Sequence, residues 1–164
     1  MKRVVILLWL VGFLAIGVFA QNAPKIQRAY AFYTMNMPGM VMQDDKGNPV
    51  DPIVSIDRLI YMECPGKTMP DIKTVSYNNV SYTPTITKLN ETTVHVGKKG
   101  DNNKEIILTA KKGNSFWKMD LQLTNDQAKA PREIKRIIIQ GKSNKRLYNF
   151  YLYNETQLFT PPRY

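Results

Sequence analysis

Residues 72–89 read Ile72-Lys73-Thr74-Val75-Ser76-Tyr77-Asn78-Asn79-Val80-Ser81-Tyr82-Thr83-Pro84-Thr85-Ile86-Thr87-Lys88-Leu89. Two runs of alternating character meet at a pair of asparagines. Asparagine tolerates the left-handed backbone that a two-residue hairpin turn needs. Pairing Tyr77 with Val80 places Val75 opposite Tyr82, and all four then share one face. Ser81, Thr83, Thr85 and Thr87 take the opposite face. The spacing predicts a hairpin of half-buried strands.

The same period of two continues outward in both directions. Ile26 to Met35 is a strand candidate. Ile53 to Cys64 is another, with Val54, Ile56, Ile60, Met62 and Cys64 on one face, interrupted by Arg58; Pro65-Gly66 stops it. Thr92 to Gly97 points Val94 and Val96 inward, and a polar loop, Lys98 to Lys104, follows. Glu105 to Ala110 and Ser115 to Leu123 flank the turn Lys111-Lys112-Gly113-Asn114. In the latter strand Trp117, Met119, Leu121 and Leu123 alternate with Lys118, Asp120 and Gln122. Asn125 to Lys129 fits one helical turn. Glu133 to Gln140 and Arg146 to Tyr153 form the last pair, around a turn at Gly141 to Lys145. Both faces of Arg146 to Tyr153 are largely apolar, which predicts a central strand and a core role for most of Tyr148, Tyr151 and Tyr153.

About nine strands and no long helix predict an all-β fold. A two-layer β-sandwich, with an immunoglobulin-like form as one version, solves the edge problem by stacking; a small β-barrel solves it by closure. The Cys–Trp–Cys core of antibody domains is absent.

The amino terminus has the layout of a secretory signal peptide. Lys2 and Arg3 precede an uncharged apolar run, Val4 to Phe19, which is shorter than the ~20 residues of a spanning helix. Val18 and Ala20 supply small residues before a cleavage site between Ala20 and Gln21. Residues 1–20 are thus expected to be the signal, and 21–164 a single β domain, exported to the periplasm, the cell envelope or beyond. No cysteine follows the apolar run, so a lipoprotein pattern is lacking. Cys64 is the sole cysteine, which excludes a disulfide scaffold and favours a bacterial envelope.

The formal net charge is +10, including Lys2 and Arg3. It serves solubility first and attracts anionic surfaces second. Export disfavours nucleic acid as a partner, although the charge would permit it.

Sites with a sequence pattern are few. A Ser–His–Asp or Cys–His set would have to use His95, the one histidine, whose alternation against Val94 and Val96 turns it to solvent. Cys64 lies on an apolar face, which predicts an inert thiol. Gly141-Lys142-Ser143 resembles the end of a phosphate loop, but Arg136 stands where its first glycine belongs. Asp44, Asp45, Asn48 and Asp51 around Gly47 do not match a calcium loop and read as a solvated turn. Asn79, Asn90 and Asn154 head formal glycosylation acceptors.

Met35, Met37, Met40 and Met42 cluster around Pro38-Gly39. Thioethers are soft ligands suited to Cu(I). The stretch resembles the methionine-rich segments of copper-handling proteins of the bacterial envelope, which would make these four residues metal ligands. Alternating apolar positions on either side of a turn explain the same spacing.

The expectation is a non-enzymatic exported β domain, without cofactor, that binds another envelope or extracellular component: a protein, a glycan or an anionic surface. A periplasmic Cu(I)-binding protein and a small secreted hydrolase using two carboxylates are the alternatives.

Overall fold

Asn78 and Asn79 sit at φ 48° and 74°, the left-handed pair that closes a tight hairpin. Tyr77 faces Val80 and Val75 faces Tyr82, the register that alternation predicts. The computed structural model describes residues 25–36, 42–47, 49–50, 55–125 and 130–160. Its strands are β1 (Arg28–Asn36), β2 (Met42–Gln43), β3 (Pro49–Val50), β4 (Ser55–Pro65), β5 (Asp71–Tyr77), β6 (Val80–Lys88), β7 (Thr93–Lys98), β8 (Glu105–Thr109), β9 (Asn114–Leu123), β10 (Ile137–Ser143), β11 (Arg146–Leu152) and β12 (Thr156–Gln157). Nine of them are five residues or longer, and no helix occurs among the described residues. The fold is all-β.

Eight strands form one sheet in the order β11-β10-β5-β6-β9-β4-β1-β12. The sheet curls until β11 comes close to β1, wrapping an inner core. Ile60, Met62 and Cys64 from β4 meet Val75 and Tyr77 from β5, Tyr82 from β6, Trp117, Met119 and Leu121 from β9, and Ile137 and Ile139 from β10. A small sheet, β7 with β8, stacks outside. Its Val94 and Leu108 pack with Phe32, Tyr61 and Phe116 on the outer face of the large sheet, joined by Leu158. The arrangement thus combines barrel-like curling with sandwich-like stacking.

This second core explains why β9 buries Phe116 as well as the Trp117 face: the strand is covered on both sides. Pro84 lies in β6, yet β5 pairs with β6 only from Val80 to Tyr82. Beyond Tyr82 only β9 pairs with β6 among the described residues, and a residue without an N–H is tolerated there.

Three local expectations change. The turn between β10 and β11 is Asn144-Lys145, at φ 52° and 62°, whereas Gly141 to Ser143 continue the strand. Gly141 is a glycine for space: a Cβ there would stand 2.5 Å from Cζ of Tyr148, its cross-strand neighbour. The strand after Glu133 begins only at Ile137. And among the described strands β11 lies at the edge of the sheet, not at its centre. The helical turn expected at Asn125 to Lys129 falls largely on 126–129, outside the described residues, as do the signal segment 1–20, the cleavage pair Ala20 and Gln21, and Val54.

Candidate binding face

The small β7–β8 sheet packs on Phe32, Tyr61 and Phe116 of β1, β4 and β9, so among the described residues no second layer covers the outward face of β11. Phe150 and Leu152 turn inward against the core. Leu147 and Tyr151 turn outward and are 63% and 44% exposed, and Tyr153, just past the strand, is 68% exposed. The neighbouring strands continue this surface in register. Lys142 of β10 stands opposite Leu147, Gln140 opposite Asn149, and Ile138 opposite Tyr151. On β5, Thr74 follows Gln140 and Ser76 follows Ile138. The Gln140 amide Nε2 donates to Asn149 Oδ1 at 3.4 Å, and Asn149 Nδ2 donates to Tyr151 Oη at 3.3 Å. The result is an open face on which amides, hydroxyls and aromatic rings alternate.

At one end the face runs into a cleft of about 470 Å³ lined by Asn78, Asn79, Lys135, Arg136 and Tyr153. Asn78 builds it. Its Oδ1 accepts from the backbone N–H of Lys135 (2.8 Å) and of Arg136 (3.1 Å), and its Nδ2 donates to the Glu133 carbonyl. The β5–β6 turn thereby fastens loop 133–136 and holds two exposed cations beside Tyr153. At the other end Lys25, Asn144, Arg146 and Leu147 border a second cleft of about 350 Å³. Neither cleft has a carboxylate among its described lining residues.

No protein-family model, no curated protein and no solved structure matches the chain. Its own geometry therefore carries the functional reading.

Two buried charged clusters serve architecture. Arg58, on the inner face of β4, pairs with Glu155 through Nε and Nη2, both at 3.1 Å. It donates to Tyr82 Oη at 2.8 Å and the Pro131 carbonyl at 2.6 Å, and its Cζ lies 4.6 Å from the Tyr77 ring centre. Burial alone would lower the guanidinium; the pair with Glu155 outweighs it and holds the group above its ordinary value. On the outer face of β4, fully buried Glu63 accepts from Arg28 Nε, from Asn114 Nδ2 and from the Lys111 N–H at 2.9 Å. Burial would raise this carboxyl; these donors hold it below its ordinary range. Both clusters tie distant segments to one strand.

The residues singled out from sequence are scattered. Cys64 is fully buried, and burial together with Glu63 pushes its thiol up to about 12, so it is no nucleophile near neutral pH. His95 is exposed on the small sheet with Nδ1 2.7 Å from Glu105 Oε1. Asp44 caps its own turn, accepting from the Lys46 N–H at 2.9 Å, while Asn48 and Asp51 lie outside the described residues. Met35 is half-buried at the end of β1 and Met42 is in β2; Met37 and Met40 lie outside the described residues. No group of three or more His, Cys, Asp or Glu that could hold a metal occurs among the described residues, and no described helix is long and apolar enough to cross a membrane.

Proposed function

We propose that the protein is an exported, non-enzymatic binding domain that holds another envelope or extracellular component against the outer face of β10 and β11. One observation carries the reading. Leu147 and Tyr151 on β11 and Tyr153 just past it keep large apolar side chains exposed at one side of the sheet, and apolar surface gathered in one place suits an interaction site. Tyrosine suits that role, since it offers a rigid apolar ring with a polar tip.

The test is a double substitution, Tyr151→Ser with Tyr153→Ser, in the producing cell. The exported protein should keep its stability within about 1 kcal/mol, as surface changes do, and move from the envelope-bound to the soluble fraction. Intact mass of the exported form should begin at Gln21. A large loss of stability, or unchanged envelope retention, would count against the face.

A further inference from the structure

We infer that the ligand of this face is an acidic polysaccharide, whose sugar rings lie along the tyrosines while a ring carboxylate enters the cleft at Lys135 and Arg136. The inference rests on the outer face of β10 and β11 being the binding face, and adds the chemistry of the ligand. The face is open rather than enclosed, which suits a chain laid along it better than a small molecule that a pocket would surround. Leu147 to Tyr153 spans roughly 20 Å of extended strand, room for several rings. The carbon-bound hydrogens of a pyranose make an apolar face that stacks on tyrosine. Its hydroxyls are both donors and acceptors, and only amides and hydroxyls match them in both senses. Gln140, Asn149, Thr74 and Ser76 provide such groups between and beside the rings.

Charge complementarity selects the acidic form. Tyr153 shares its cleft with Lys135 and Arg136, both exposed. Neither side chain takes part in an ion pair among the described residues, and it is the Glu133 backbone carbonyl that ties their loop to Asn78. An arginine fork binds a carboxylate in two-point fashion, and a nearby lysine adds a point charge.

Affinity electrophoresis of the exported protein through gels carrying polygalacturonate, galactan or polyglutamate tests this. Polygalacturonate should retard the wild type at least about tenfold more strongly than either control. Lys135→Ala with Arg136→Ala should bring polygalacturonate down to the galactan level, and Tyr151→Ser with Tyr153→Ser should abolish retardation by both polysaccharides. Circular dichroism should show both variants folded. Equal retardation by polyglutamate would reduce the cations to a general polyanion patch and overturn the inference. Equal retardation by galactan and polygalacturonate, lost with the tyrosines, would overturn the acidic ligand and leave the binding face standing. Retardation indifferent to the tyrosines would remove both. So would a dimer dissolved by the tyrosine changes with no polysaccharide bound, which would make the face a protein interface.

Discussion

Removing the guanidinium of Arg58 should cost a large share of the stability that a domain of this size possesses. The Arg58 side chain is 0% and the Glu155 side chain 5% exposed. In Arg58→Met a carboxylate stays buried without its partner, and the Pro131 carbonyl and Tyr82 hydroxyl each lose a donor. Breaking a buried pair from one side costs about 3–5 kcal/mol, a large share of the ~5–15 kcal/mol of a typical domain. Arg58→Met combined with Glu155→Leu removes the stranded charge together with its partner and should cost less than Arg58→Met alone, since apolar replacement of a whole pair is often near neutral. Urea unfolding followed by the fluorescence of Trp117, which sits in the same core, measures Arg58→Met, Glu155→Leu alone and the double variant. A loss below about 1 kcal/mol for Arg58→Met, or a double variant equal to the sum of its singles, would refute the account of Arg58 as the internal clamp between β4 and the Glu155 segment.

Three further outcomes follow from the packing. Trp117→Ala should destabilise by about 3–5 kcal/mol, while Lys118→Ala, at a residue that like its partner Asp120 is only half-buried, should stay within about 0.5 kcal/mol in the same urea melts. Gly141→Ala forces the Tyr148 ring aside and should cost about 1–3 kcal/mol, a loss that thermal melts should find reduced in a Tyr148→Ala background. Glu63 titrates lower in the folded protein than its unfolded value of about 4.3; its contribution is therefore present above that pH and lost as pH falls through the folded value. Stability against pH should drop on acidification below about pH 4, and Glu63→Gln, less stable at neutral pH, should show a shallower drop.

How far the fold could be read depended on the range of the cause. The β5–β6 turn and the register beside it were legible, because turn residues and alternation lie within a few positions of one another; that β6 leaves β5 for β9 beyond Tyr82 was not. Arg58 was visible as the one charge on an apolar face, but its partner comes 97 residues later, beyond any local pattern. Glu63 and Phe116 were unremarked for a related reason. Both lie on the face of their strand that alternation assigns to solvent, and the small β7–β8 sheet, with the turn that follows it, covers that face. Gly141 looked like punctuation, since a glycine opening a charged turn and a glycine making room for a ring are identical in sequence.

The candidate face turned on the same ambiguity. An apolar pattern on both sides of Arg146 to Tyr153 has two physical solutions: a strand covered on both faces, or a strand with one face in the core and the other left exposed. Sequence alone favours the first, because an exposed apolar edge invites aggregation. The structure has the second: Phe150 and Leu152 pack on the core while Leu147 and Tyr151 are exposed, on a strand that ends the sheet beside β10. The hazard is then moderated in place. Lys145 and Arg146 charge the start of the strand, Asn149 interrupts Leu147 and Tyr151, and loop 133–136 with its two cations stands beside Tyr153. Charge at the ends discourages a second sheet from docking there. A face that only needed to avoid aggregation would be served better by serine or lysine at 151 and 153; tyrosine at both positions is what the proposed contact would require.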